Sequence, residues 1–410
     1  MSKGDFRNRG SGSSFGAVKL NDHVYWVGAV DWTLRDFHGY ATDRGTTYNA
    51  YLVMADKITL IDTVKAPFCG ELLSRIASVV DPGKIDYIVS NHAEMDHSGA
   101  LPEVIARVKP EKVFASAKGV EALQAHFHWD QPVTAVQDGD TLSLGNRTLS
   151  FVLTKMLHWP DSMFSYLVED RLLFAQDAFG MHLASSERFA DELDKGVLEY
   201  EAAKYYANIV LPFSAIVKKT IEKAAAIDIA TIAPDHGPIW RRDLEWILGL
   251  YARWADQAPN TKAVIVYDTM WGSTGMMARE IEEGLVSEGM RVRSMRLRES
   301  HRSDVATEVL EAGALLVGSP TINNNLFPTV ADVLSYLKGL RPKNLAGAAF
   351  GSYGWSGEGA KQVAEALASM RVDLVGDPIN TEYVPDLDAL ARCRDLGVQV
   401  GQKMKQRVTL

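Results

Sequence analysis

The chain has 410 residues and a formal net charge of −9, with 47% hydrophobic and 23% charged residues. That length supports two or three domains with full cores, and the composition is that of an ordinary soluble globular protein. The acidic balance excludes a nucleic-acid or anionic-membrane partner, and the two cysteines, Cys69 and Cys393, exclude a disulfide framework and any four-cysteine rubredoxin or iron–sulfur site in this chain, while fitting a reducing cytoplasm.

Residues 1–20 are polar and Gly/Ser-rich and lack an apolar core, so they read as a mobile tail and not as a signal peptide. No apolar run approaches the length of a membrane span. From Val24 the chain gives short strand signals: VYWVGAV, YNAYLVM and ITLID. A helix follows near GELLSRIASVV, then the strand DYIVS. Helix LPEVIARV, strand KVFA and helix VEALQAHF come next, and then VTAV, LSLG, LSFVLT, SYLVED and RLLFAQDA as strands. A long helical stretch runs from about Asp191 to Ala225, broken near Pro212. Strand IATIAP and helix WILGLYARW close this half, and ADQAPNTK serves as a linker. The domain spans are therefore 21–256 and 262–410. The second half has another rhythm. KAVIVYD is the near-continuous apolar run of a strand buried on both faces. It opens five βα alternations, ending in AGAAFGS, a helix over GAKQVAEALASM, and VDLVG. They specify a doubly wound five-stranded parallel sheet with its ligand at the carboxyl ends of the strands.

The densest chemistry lies just after DYIVS, in Asn91-His92-Ala93-Glu94-Met95-Asp96-His97. Loops at strand ends are where a rigid scaffold places reactive groups. In a locally extended loop, residues two apart face the same way, so His92 and Glu94 can reach one metal. Asp96 and His97 are adjacent and can turn toward a second. Three more donors sit at strand ends: His158 in KMLHWPDS, Asp177 after RLLFAQ, and His236 after IATIAP. Each alone reads as a turn or capping residue. The remaining histidines, His23, His38, His126, His128, His182 and His301, lack this context. Asp62 in LIDT is either a turn residue or a support for a ligand.

In the second half, three loops follow strands one, three and four. Thr269-Met270-Trp271-Gly272-Ser273-Thr274 places hydroxyls and a glycine at a helix N-terminus, a ready anion site without the lysine of a nucleotide triphosphate loop. The others are Ser319–Asn325, with Pro320, Thr321, Ile322 and Asn323, and Gly351–Glu358, with Ser352, Tyr353, Gly354, Trp355, Ser356 and Gly357. Aromatic side chains there can stack on a flat ring, and glycines let the backbone approach its polar edge.

The H-x-E-x-D-H spacing resembles the H-x-H-x-D-H loop of the metallo-β-lactamase superfamily, with Glu94 in place of a histidine. A carboxylate there suits a harder, redox-active ion and leans from zinc toward iron. Together with YDTMWGST, GSPTINNN and AAFGSYGWSGE, the chain from about Asn21 onward resembles the flavodiiron proteins of the minimal two-domain type. The fold implied is a metallo-β-lactamase-like αββα sandwich followed by a flavodoxin-like domain. The resemblance implies two irons and one FMN. It makes Asp177 the bridge, with His92, Glu94 and His158 on one iron and Asp96, His97 and His236 on the other. It implies reduction of dioxygen to water, of nitric oxide to nitrous oxide, or both. By position Tyr205 matches a tyrosine over the diiron pocket, with Tyr206 the alternate. A separate electron donor, a rubredoxin or a flavin reductase, and a head-to-tail homodimer or a tetramer built on it are implied as well. Two other readings stand beside this one: a zinc hydrolase fused to a flavodoxin domain, and a plain flavin electron carrier with a structural first domain.

Overall fold

The computed structural model describes residues 15–408. Its chain divides into two compact units. The first comprises the described residues up to Leu34, Arg44–Leu193 and Ile227–Leu244; the second comprises Arg35–Asp43, Asp194–Ala226 and the chain from Glu245 onward. The change of rhythm in the sequence falls near 256–262, but by contact the helical stretch 194–226 and the helix Leu244–Asp256 group almost wholly with the second unit.

The first unit is built on two sheets. One has seven strands and includes Tyr51–Val53, Thr59–Ile61, Tyr87–Ser90 and Lys112–Ser116; the other has five and includes Met163–Leu167, Leu172–Gln176 and Thr231–Pro234. Alternation along the strands of the larger sheet makes two cores. Leu52, Leu60, Ile88, Val113 and Ala115 point to one face, where they pack with Leu72, Ile76, Val104 and Leu123 of three helices. Their neighbours Tyr51, Val53, Ile61, Val89 and Phe114 point to the other, against Phe151, Met163, Leu172 and Phe174 of the second sheet. Each such fully buried side chain contributes roughly 1.5–3 kcal/mol. Because both faces are covered, the strand ends and not the faces are left for polar groups.

Two expectations change here. Residues 1–14 of the expected tail lie outside the described residues. The rest of it is tied down: Val18–Lys19 pairs antiparallel with Tyr25–Trp26, and the Ala17 amide donates to Ser78 Oγ at 2.9 Å. VYWVGAV is also two strands, Val24–Trp26 and Ala29–Asp31, in different sheets. A side chain at Gly28 would collide with the Tyr48 carbonyl, so this bend needs glycine.

In the second unit the parallel strands lie in the order Arg291–Arg296, Lys262–Tyr267, Ala314–Ile322, Ala346–Tyr353, then a fifth in two pieces, Asp373–Leu374 and Ile379–Glu382. This is the 2-1-3-4-5 order of a flavodoxin-like sheet, with its switch point between the first and third strands in sequence. Ser319–Asn325 is more than a loop. The third strand continues to Ile322, turns through Asn323 and Asn324 with both φ values positive (49° and 59°), and pairs back through Asn325–Leu326. Asparagine is the residue, after glycine, that accepts such a hairpin turn. The expected break near Pro212 is a π-wound segment, Tyr206–Val210, followed by a short 3₁₀ turn between two α-helices.

Candidate metal centre and flavin cleft

The loop 91–97 is clamped at both ends by one dipeptide. Asp62 accepts from the Asn91 amide at 2.7 Å and from Asn91 Nδ2 at 2.8 Å, and the carbonyl of His97 accepts from the Thr63 amide at 3.1 Å. Asn91 Oδ1 also accepts from Ser165 Oγ at 2.5 Å, so the second sheet grips the same residue. Asp62 thus supports the loop through Asn91. Among the described residues it makes no hydrogen bond to a histidine, and that is where the support lies that the sequence left open.

The structure brings all seven expected donors together. His92, Glu94, His158 and Asp177 form one group; Asp96, His97 and His236 form another; within each, one donor atom from every residue lies within 4.8 Å of the others. Asp177 faces both. Its Oδ2 lies 3.4 Å from His92 Nε2 and 3.0 Å from His158 Nε2, and its Oδ1 lies 3.2 Å from His97 Nε2 and 3.4 Å from His236 Nε2. Glu94 Oε2 is 3.3 Å from His92 Nε2 and from His158 Nε2. Asp96 Oδ2 is 3.1 Å from His236 Nε2.

Behind the donors stands a layer that motif spacing did not single out. His92 Nδ1 meets Asp161 Oδ2 at 3.1 Å, and the same oxygen accepts from the Ala93 amide at 2.6 Å. His97 Nδ1 lies 3.4 Å from Asp235 Oδ2, and His236 Nδ1 donates to the Thr47 carbonyl at 2.6 Å. Gln176 receives the Asp177 amide and donates to the Leu157 carbonyl, joining two ligand-bearing turns. With Nδ1 hydrogen-bonded, His92 and His236 present Nε2 to the centre, while His97 Nδ1 has only the charge of Asp235 beside it. Asp161 and Asp235 had a signal in the sequence: each is a carboxylate close to a strand-end histidine, in WPDS and PDHG. His182 had none. It is buried with its ring 4.6 Å from that of His236, its Nδ1 2.8 Å from Thr46 Oγ1.

The donor set fits metal ions. Both oxygens of Asp96, Oδ1 of Asp177 and Nε2 of His97 are buried without a hydrogen-bond partner, although they converge. Several such atoms converging on one spot call for a partner, and a bound cation supplies one. The electrostatics agree. Burial by itself lowers the His92 pKa, but its bonds to Asp161 and Glu94 and the charge of Asp177 push it up to about 10. His97 is raised well above the ordinary histidine value against the same burial, by Asp96, Asp177 and Asp235. Burial raises Asp177, but His97 and His158 hold it well below the carboxylate range. A site that holds protons on buried histidines this firmly demands positive charge, and metal cations supply it in their place.

The second unit carries a cleft of about 490 Å³ at the carboxyl ends of its strands. Met270, Trp271, Ser273, Pro320, Thr321, Ile322, Asn323, Ser352, Tyr353, Gly354, Trp355 and Ser356 line it as expected, with Asn324, Tyr383 and Val384 added by the hairpin and the fifth strand. The other four expected residues stand behind it. Thr269 Oγ1 accepts from the Gly272 amide at 3.0 Å, Thr274 Oγ1 bonds Ser352 Oγ at 2.9 Å, and the Gly357 carbonyl accepts from Asn380. Gly272 has φ +95° at the N-terminus of the helix Ser273–Ser287, a conformation that favours glycine. Among the described residues no charged one lines the cleft, so an anion would rest on the helix N-terminus and hydroxyls. Trp271 and Trp355 are 94% and 87% exposed, a stacking surface for a flat ring that fits a flavin.

Tyr205 ends the helix Lys195–Tyr205 and is buried within the second unit. The alternate, Tyr206, is engaged in packing: its hydroxyl bonds Ser214 Oγ at 3.0 Å and its ring meets Tyr251 and Trp254.

Residues 46–237 match the family model described as ODP family beta lactamase, and residues 265–397 match the model described as Flavodoxin. One domain type built around metals and one around a flavin define a two-centre oxidoreductase. The chain is 47% identical to the nitric oxide reductase of Moorella thermoacetica, over 94% of this chain and 98% of that protein. The solved rubredoxin oxygen:oxidoreductase of Desulfovibrio gigas superimposes with a TM-score of 0.95 at 46% identity, over 96% of this chain and all of that one. The flavodiiron protein of Giardia intestinalis superimposes with a TM-score of 0.93 at 36% identity, over 96% and 98% of the two chains. The chain belongs to the flavodiiron family. Neither the hydrolase nor the simple electron-carrier reading accounts for such relatives. Among the described residues no helix is long and apolar enough to cross a membrane.

Proposed function

We propose that this chain reduces dioxygen to water, nitric oxide to nitrous oxide, or both, at two irons held by the seven donors, with electrons drawn through FMN in the cleft of the second unit. The observation that carries this reading is Asp177, a buried carboxylate with one oxygen toward each group of donors. When bound, the iron pair and FMN supply the electron transfers, two from each centre, which matches the four that dioxygen requires and exceeds the two for coupling nitric oxide. The chain's own residues set the conditions. His92, Glu94 and His158 would hold one ion and Asp96, His97 and His236 the other, with Asp177 between them. Asp161, Asp235 and the Thr47 carbonyl fix the histidine rings. Ser273 and the amides at the start of its helix would hold the FMN phosphate, and Trp271 and Trp355 would offer the ring a stacking surface. Tyr205 is the candidate to hydrogen-bond a bound substrate.

A rubredoxin or a flavin reductase would deliver electrons, in keeping with the name of the D. gigas relative. A head-to-tail homodimer, pairing one copy's FMN with the other's irons, completes the proposal. The test is metal and flavin analysis with turnover. About two irons and one FMN per chain, with anaerobic nitric oxide or dioxygen consumption on reduction of the flavin, are expected. Two tightly held zincs and no activity after iron reconstitution would overturn it.

A further inference from the structure

The first unit has a cleft of about 370 Å³ whose lining includes none of the seven metal-centre donors. Its floor is Trp26, which is only 2% exposed. Two guanidiniums stand over that indole. The Cζ atoms of Arg75 and Arg188 each lie 4.7 Å from its ring centroid, so they are no more than twice that distance apart. Glu71 pairs with Arg75 at 2.7 Å. Arg188 is 6% exposed and has no carboxylate within ion-pair distance among the described residues; its guanidinium meets the Ser185 carbonyl and the indole. Burial, and then the nearby charge of Arg75, lower its pKa to about 10.

A buried guanidinium without a counter-ion is costly, and a second cation beside it adds to the cost. Cation–π contact with Trp26 offsets part of this but leaves the net charge in place. Two arginines and one glutamate leave one positive charge at the cleft, which calls for one negative charge. Beside Ser185 and Ser186 the wall has an apolar part: Val30 and Trp32 line it, and Trp32 is 57% exposed at its rim. An exposed indole beside a buried cation suits a ligand with an acidic head and an apolar body. A carboxylate matches the fork of a guanidinium, which can donate two parallel hydrogen bonds to it.

We propose that this cleft binds a small organic monocarboxylate, with its acid group on Arg188 and Arg75 and its apolar body against Trp32 and Val30. The site is distinct from the metal centre and from the flavin cleft, and nothing in the proposed reduction requires it. The reaction class is unaffected; what it adds is a ligand that stabilises the first unit.

The experiment uses the iron- and FMN-loaded protein and benzoate as probe, read by calorimetry and by tryptophan fluorescence. Saturable one-to-one binding is expected, with no binding of the neutral isostere benzamide. Arg188→Gln should weaken benzoate at least about tenfold, the scale of a lost charge-assisted contact. Because Arg188 is buried and its variant could misfold, Trp32→Ala at the exposed rim is the second variant, and it should weaken binding several-fold while iron and FMN content stay unchanged. Absence of saturable benzoate binding, equal binding of benzamide, or undiminished affinity in folded Arg188→Gln or in Trp32→Ala would overturn the proposal. Binding lost on iron removal but kept in these variants would place benzoate at the metal centre and would overturn it equally.

Discussion

Asp161 shows how much of the metal centre rests on residues that touch no ion. It holds the His92 ring and the Ala93 amide with one oxygen, so it sets both the direction of Nε2 and the path of the loop. Asp161→Ala should lower metal affinity by about 10–100-fold, with partial recovery in Asp161→Asn, which keeps an acceptor for the amide. Competition of a chelator for the bound iron measures this. The same histidine predicts a pH dependence. In the metal-free chain its pKa rises from 6.5 to about 10. A raised pKa means that the folded state binds the proton more tightly than the unfolded one. The stability it contributes is therefore complete below about pH 6.5 and is lost as pH rises through about 10. Metal binding must expel that proton, so loading should release protons at neutral pH and weaken as pH falls. Calorimetry in buffers of different ionisation enthalpy counts them; metal binding with no proton release would contradict the assignment of His92 as a ligand.

At the scale of elements, the helix Ser273–Ser287 joins flavin binding to packing. Its first turn offers Ser273 to the cleft and ties Thr274 to Ser352 of the neighbouring strand. Farther along, a side chain on Gly284 would collide with the Arg394 carbonyl, and one on Gly397 with the Ile281 carbonyl, so this helix and the helix Leu387–Val408 approach backbone to backbone. Ser273→Ala with Thr274→Ala should therefore lower FMN occupancy while iron content holds. Parallel loss of both cofactors would indicate a folding defect instead. This is also where the limits of reading the sequence lie. Continuous apolar runs such as KAVIVYD and ALLVGS identify buried parallel strands, and the donors of the metal centre stand at strand ends where periodicity stops. The turn at Asn323-Asn324 was not legible as a hairpin, because its partner strand is only Asn325–Leu326. VYWVGAV read as one strand because the reason for its break, the Tyr48 backbone at Gly28, lies twenty residues away in sequence. His182 was illegible for the same reason: its proximity to His236 is created by the fold alone.

For the whole molecule, the proposed pairing of one copy's FMN with its partner's irons has a direct test. Chains carrying Asp177→Ala are mixed with chains carrying the Ser273/Thr274 double change under conditions that allow exchange. Random pairing makes about half the dimers mixed, each with one intact composite centre, so about a quarter of wild-type activity should return. Activity that stays at the parental level, with exchange confirmed by mass, would refute the arrangement. The placement of the donors carries a mechanical meaning as well. His92, Glu94, Asp96 and His97 leave a strand of the seven-stranded sheet, whereas Asp177 and His236 follow strands of the five-stranded one. A pair of ions shared by these groups would act as a rivet through the edge of the sandwich, adding to the apolar contact and to hydrogen bonds such as Ser165 to Asn91 that already join the layers. Heating should then resolve two unfolding events: chelation of the metals should shift the one that belongs to the first unit, and removal of the flavin the one that belongs to the second.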